Sequence, residues 1–289
     1  MVVLVSGANG QLGQSLQFIA SNYPELHFVF CSSSDLDITN FENCQATFSK
    51  TQPQYCINAA AYTAVDKAES EPEKAHLINV IGAKNLAEVC KEYNTILLHV
   101  STDFVFDGTL SPRAQSRGYT EEDAPNPTGV YGQTKLDGEK AIQAVFEKYY
   151  IIRTSWVYSQ FGNNFMKTML RLASERDSLS VVNDQIGTPT NAVDLADALV
   201  QIILTNNQQP LTNNFGIYNF SNEGQCSWFD FAKIIFKVNN IIINLQAIPT
   251  SSFPTPAKRP KFSVLDKTKI KTNFGIDIKG WGERIEKQS

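Results

Sequence analysis

The sequence predicts an α/β protein, with a doubly wound, mainly parallel sheet and a smaller C-terminal lobe. Two observations carry this. Short apolar, β-rich runs alternate with helix-like stretches through the first half of the chain, and the first run enters a glycine-rich turn. Strands separated by helices of such length imply βαβ units with right-handed crossovers, hence a parallel sheet. Near-continuous apolar strands suit a sheet covered on both faces.

The elements follow in order. Apolar runs stand at residues 2–5, 28–30, 55–57, 96–100 and 149–152. Between them, residues 11–21, 41–51, 73–93 and 135–148 have helical spacing or composition. After about Ser155 the pattern changes: helices are expected over 164–176, 193–205 and 228–237, with a short strand at 179–182. Pro249, Pro254, Pro256 and Pro260 mark a turn-rich segment. Residues 1–155 therefore read as one domain and 156–289 as a second lobe, interleaved with the sheet rather than joined by a linker.

The 42% of hydrophobic and 19% of charged residues allow a sizeable core and argue against disorder. A net charge of −4 argues against nucleic acid as the main partner. No stretch approaches the ~18 apolar residues of a membrane span. The opening MVVLVSGANG has neither a basic region nor a cleavage site, and reads as a buried strand. The five cysteines (Cys31, Cys44, Cys56, Cys90 and Cys226) are scattered without a CxxC pair, and with three histidines they form no zinc framework. They read as reduced thiols of a cytoplasmic protein.

Gly7, Gly10 and Gly13 follow the first strand. Gly7 permits a tight turn, Gly10 lets backbone N–H groups approach a phosphate, and Gly13 allows close helix–strand packing. With Gln11 and Leu12 they would set a dinucleotide pyrophosphate at the positive end of the following helix, as in a Rossmann-type fold. The spacing is GxxGxxG, and a plain connecting turn is the competing reading. No acidic residue immediately follows the second strand to bind a ribose 2′-hydroxyl, and no arginine stands there for a 2′-phosphate, so NADH and NADPH both stay open. Asp37 and Ile38 fall near the adenine edge, with a surface turn as the alternative for Asp37. Ala59, Ala60, Ala61 and Thr63, after the third strand, would let a cofactor lie close to the backbone. Core packing is the alternative for the alanines.

Tyr131 and Lys135 stand four residues apart at the start of a helix, which puts them on one face, roughly 6 Å apart at Cβ. A free tyrosine titrates near ~10 and is a poor acid–base group at neutral pH. A neighbouring lysine is expected to lower that value, and the positive ring of an oxidised nicotinamide would add to the effect. The stretch from His99 to Gly108 ends a buried strand in hydroxyl and carboxyl side chains. Ligand crevices of open α/β sheets lie beyond the carboxyl ends of strands. Thr102 could then hydrogen-bond a substrate carbonyl beside Tyr131, with Asp103 adjacent. A surface helix pair and an ordinary capped turn are the bland readings.

These motifs resemble the extended short-chain dehydrogenase/reductase superfamily. Longer stretches are similar to its dTDP-4-dehydrorhamnose reductase family: residues 59–69, 101–107, 131–139, 153–158, 184–190 and 254–263 cover nearly the whole chain. The resemblance implies a Rossmann domain with a substrate lobe. It also implies NAD(P)H-dependent reduction of dTDP-4-dehydro-6-deoxy-L-mannose (4-dehydrorhamnose) to dTDP-L-rhamnose. Tyr131 would be the proton donor, Lys135 its partner and ribose contact, and Thr102 the carbonyl-orienting hydroxyl. Trp156 would lie against the nucleotide base, with a buried anchor as its alternative. The diphosphate needs a cation, and Arg259 fits because guanidinium matches phosphate oxygens bidentately. Some family members hold Mg²⁺ at a dimer interface with carboxylates. The matching positions are Ser15 and Val193, so no metal site is expected. Gly129 stands where many relatives have asparagine. A homodimer is a candidate assembly. Two rivals remain: a reductase of another nucleotide-4-ketosugar, and a non-catalytic regulatory subunit similar to methionine adenosyltransferase beta.

Overall fold

Val3, Leu4 and Val5 have no solvent exposure because the strand they form, β1 (Val2–Ser6), runs inside a six-stranded sheet. The computed structural model describes residues 1–208 and 214–285. The other strands are β2 (His27–Cys31), β3 (Tyr55–Asn58), β4 (Ile96–Thr102), β5 (Tyr149–Thr154) and β6 (Gly216–Asn219). Their order is β6-β5-β4-β3-β1-β2, and every neighbouring pair is parallel. The chain leaves β1 towards β2 and returns to β3 on the other side. That reversal opens a crevice at the carboxyl ends of β1 and β3.

Both faces are covered, as the apolar runs require. Helices α1 (Gln11–Ile19), α6 (Ala192–Gln208) and α8 (Thr268–Phe274) pack Leu16, Leu199, Ile203 and Phe274 against Val3, Val5, Ile57 and Ile152. On the opposite face α2 (Phe41–Thr51), α3 (Gly82–Glu92) and α4 (Val130–Val145) bring Phe48, Leu86, Val89 and Ile142 onto Leu4, Cys56, Leu97 and Ile151. At roughly 1.5–3 kcal/mol for each fully buried large aliphatic or aromatic side chain, these two layers dominate the stability of the sheet.

The helix expected over 73–93 is realised in three pieces: Pro72–His76, a π turn over Leu77–Ile81, and α3. The π turn carries Asn79, whose Oδ1 accepts from Tyr62 N (2.8 Å) and whose Nδ2 donates to Thr134 Oγ1 (3.1 Å). It thereby ties the loop after β3 to the helix that bears Tyr131.

In the second half, α5 (Phe165–Glu175) and α7 (Trp228–Val238) flank a parallel pair of strands, Ser178–Val182 and Asn244–Ile248. Met166, Phe231, Ile235 and Phe236 form their core. Strand β6 lies beyond α6 in sequence yet pairs with β5, so the chain re-enters the main sheet. The sequence reading did not include β6, the strand Asn244–Ile248 or α8. The helical stretch read from composition over 135–148 begins earlier, at Val130, in keeping with Tyr131 standing at a helix start. All five cysteines are free and buried. Among the described residues no helix is long and apolar enough to cross a membrane.

Candidate active site

The turn after β1 is glycine because backbone occupies the space of side chains. A Cβ on Gly7, which has φ +70°, would lie 2.7 Å from Ala60 N. One on Gly13 would lie 2.4 Å from Gly7 O. The turn and the end of β3, with Ala59 and Ala60, therefore touch backbone to backbone at the crevice. Gly10 caps α1 without a side-chain hydrogen bond. The first-turn N–H groups of Gln11, Leu12 and Gly13 have no intrahelical acceptor, which suits an anionic pyrophosphate. Gln11 also reaches the second half of the chain, its Oε1 accepting from Asn164 Nδ2 (3.0 Å) and Ser159 Oγ (3.2 Å).

A carboxylate does stand near the end of β2, four residues past Cys31 rather than directly after the strand. Asp35 Oδ2 accepts from Ser32 N (2.9 Å) and Ser32 Oγ (2.6 Å), and these bonds hold its carboxyl below the usual carboxylate range. Asp37 is exposed and folds onto Thr39 N (2.9 Å) and Thr39 Oγ1 (2.7 Å), a local surface turn. Ile38 is buried in the core beneath α3. Ala61 is half-buried and Thr63 exposed on the loop after β3.

Thr102 and Tyr131 meet at the end of β4. Gly132 lets α4 seat on the backbone there, since a Cβ would lie 2.2 Å from Phe104 O. Tyr131 is half-buried, edge-on to Phe104 with ring centroids 5.6 Å apart, and its phenol is near enough to the Thr102 hydroxyl to be influenced by it. The same hydroxyl donates to Asp103 Oδ1 (3.1 Å) and accepts from Phe104 N (3.2 Å). Asp103 is buried, and burial pushes its carboxyl up to about 6 against the hydrogen bonds of Ser263 and Thr102.

The expected lowering of the tyrosine by Lys135 requires correction. Among the protein's own groups, burial pushes the Tyr131 phenol up to about 12; the Thr102 hydroxyl opposes this and the Asp103 charge reinforces it. Lys135 Nζ is turned instead to Val100 O (2.7 Å) and His99 Nε2 (3.2 Å). Burial brings that amine down to about 8, while Glu139 pulls the other way.

The start of α4 explains Gly129. Glu69 Oε1 accepts from Val130 N at 2.8 Å, and a Cβ on Gly129 would lie 2.7 Å from that oxygen. Glycine leaves room for a carboxylate to cap the helix from outside, where it also meets the positive end of the helix dipole.

Trp156 lies in a parallel stack with Trp228, ring centroids 3.5 Å apart, and Gly187 packs directly on its indole. Those contacts tie Trp156 into the apolar cluster of the second half of the chain. Arg259 is engaged by Asp66, with Nη2 to Oδ2 at 2.7 Å and Nη1 to Oδ1 at 3.0 Å. The cation assigned to a diphosphate thus pairs with a carboxylate of the loop after β3.

The family model described as RmlD substrate binding domain matches residues 1–288. The chain belongs to this family. It is 43% identical over 293 residues to a dTDP-4-dehydrorhamnose reductase of Aggregatibacter actinomycetemcomitans, covering 98% of this chain and 97% of that protein. It is 40% identical over 289 residues to the Escherichia coli K12 protein of the same name, covering 97% and 94%. A crystal structure of dTDP-4-dehydrorhamnose reductase from Bacillus anthracis in complex with NADP superimposes with a TM-score of 0.90 at 40% identity, covering 98% of this chain and 96% of that one.

Several residues around this RmlD-family site escaped the sequence reading. Asp35 lies three residues beyond Ser32 and reaches it only through a turn. Glu69 acts 61 residues away from the helix it caps. Glu139 carried a signal, one helical turn beyond Lys135. It pairs with Arg153 of β5 (2.7 and 3.0 Å) and accepts from Ser101 Oγ.

Proposed function

We propose that this chain reduces the C4 keto group of dTDP-4-dehydrorhamnose to give dTDP-L-rhamnose, with NADPH or NADH as reductant. The observation that carries the reading is the approach of Tyr131 to Thr102 at the carboxyl end of β4, in a chain about 40% identical to reductases of that name. When bound, the nicotinamide supplies the hydride. Tyr131 donates its proton to the oxygen formed at C4; burial holds the phenol in its protonated form at neutral pH, so the proton is present to be given. Thr102 holds that oxygen beside the phenol, and Asp103 lies against the sugar. Lys135 supports the ribose of the dinucleotide. Gly7, Gly10, Gln11, Leu12 and Gly13 receive the pyrophosphate, while Ala59, Ala60, Ala61 and Thr63 line the cofactor cleft after β3; Asp37, in its surface turn, and Ile38, in the core beneath α3, are left out of it. Trp156 borders the base and Arg259 the diphosphate, which requires Arg259 to share itself with Asp66.

The reading includes a cofactor-binding part over 1–155 and a substrate lobe over 156–289. It places the enzyme in the cytoplasm as a homodimer. Tyr131→Phe tests it: turnover falls by about 10²–10⁴, the usual range for a lost general acid, while fluorescence titration shows NADPH binding retained. A Phe variant of undiminished turnover would overturn the assignment.

A further inference from the structure

Arg259 sits on a segment that is tied to the site along its length. Pro260 follows it and restricts its backbone to extended conformations. Ala257 N donates to Asp66 Oδ1 (3.2 Å), and Thr128 Oγ1, just before α4, donates to Lys258 O (3.3 Å). Lys261 packs on Gly108, where a Cβ would lie 2.7 Å from Lys261 N, and Ser263 lies against the Asp103 carboxyl. A guanidinium has five N–H donors in one plane. Nη1 donates to Asp66 Oδ1 (3.0 Å) and Ala257 O (3.2 Å), and Nη2 donates to Asp66 Oδ2 (2.7 Å). The carboxylate thus takes the end of the plane. Nε–H and the second Nη2–H lie side by side along the next edge, with no protein acceptor among the described residues, and the side chain is 24% exposed. Two parallel donors on one edge are the pattern that grips a phosphate bidentately.

We propose that Asp66 is a positioning residue for the nucleotide diphosphate: it holds the end of the Arg259 guanidinium and leaves the Nε–Nη2 edge aimed to receive phosphate oxygens. One guanidinium then serves carboxylate and phosphate together, on different edges. As an ion pair alone the contact contributes little, since both side chains are partly in water. Its effect lies in orientation. A free arginine loses rotamer freedom when it grips a ligand, and Asp66 removes most of that freedom beforehand. The carboxylate also repels phosphate, but it is 40% exposed and screened by water, and the exposed Lys258 and Lys261 flank Arg259 with further positive charge. Orientation therefore outweighs repulsion. Asp66 belongs to the short helix Val65–Ala68, and the next residue, Glu69, caps α4 through Val130 N. The element that aims Arg259 is thus the one that seats the helix bearing Tyr131.

The inference rests on the reading that Arg259 borders the diphosphate, so its test uses binding and needs no turnover. Titration calorimetry of the full-length protein measures dTDP, with phosphate-free thymidine as the control. Asp66→Ala should weaken dTDP by about tenfold, the worth of one immobilised long side chain, and leave thymidine unchanged. Asp66→Asn, which keeps one acceptor for the guanidinium, should recover part of the loss. In an Arg259→Met background, Asp66→Ala should no longer matter for dTDP. Tighter dTDP binding in Asp66→Ala would show the carboxylate competing with the phosphate and overturn the proposal. Unchanged dTDP binding, or equal losses for dTDP and thymidine, would overturn it too. Should Asp66→Ala fail to fold, the same comparison in Asp66→Asn decides. A native chain that binds dTDP no better than thymidine is a different failure: it removes the diphosphate reading itself.

Discussion

Asp35 shows how a single side chain can hold a preference that spacing conceals. Its carboxylate, fixed on Ser32, stands at the end of β2, where this fold receives the adenosine ribose. A carboxylate there favours a ribose hydroxyl and repels a 2′-phosphate. Asp35→Ala is therefore expected to improve NADPH relative to NADH by several-fold in kcat/KM; an unchanged ratio would remove Asp35 from the cofactor cleft. The site motifs were legible because residue type and spacing both speak: glycines where backbone crowds, a phenol and an amine four residues apart. The proton positions were not. Burial drives the Tyr131 phenol to about 12 and the Lys135 amine to about 8, and burial is set by the whole fold.

Among the elements, the first five strands could be read from their apolar runs; β1, β3, β4 and β5 lie inside the sheet, and a parallel strand buried on both faces has no polar register to hide it. Strand β6 could not. It is four residues, Gly-Ile-Tyr-Asn, at the edge of the sheet, too short for periodicity to register. The first turn of α4 stands outside the stretch 135–148 that composition marks as helical, and its cap comes from Glu69, remote in sequence. Glu69→Ala should cost about 1 kcal/mol in urea unfolding, the usual worth of an N-cap. Adding Gly129→Asn supplies a local cap in the space the carboxylate vacates, and should recover most of that loss. Additive losses in the double variant would contradict the capping role.

At the scale of the molecule, the catalytic helix is locked to the sheet by a buried ion pair. Arg153 of β5 and Glu139 of α4 are each 1% exposed, and Phe106 covers the guanidinium at 5.2 Å. Removing one partner strands the other charge, at a cost of about 3–5 kcal/mol, whereas replacing both can be nearly neutral. Arg153→Met should accordingly unfold at much lower urea than the native chain, with Glu139→Gln added to it restoring a large part; equal destabilisation in both would show the pair to be uncoupled. The doubly wound architecture was legible from the alternation of strands and helices. The re-entry of the chain at β6 was not, because it depends on which edge of the sheet α6 leaves open. The central claim concerns the reaction itself. Mixing the full-length protein with NADPH and dTDP-4-dehydrorhamnose, while following the reduced nicotinamide and identifying the sugar formed, tests it most directly. The account predicts one dTDP-L-rhamnose for each NADPH consumed. A product that keeps its C4 ketone, or no oxidation of either NADPH or NADH, would contradict it.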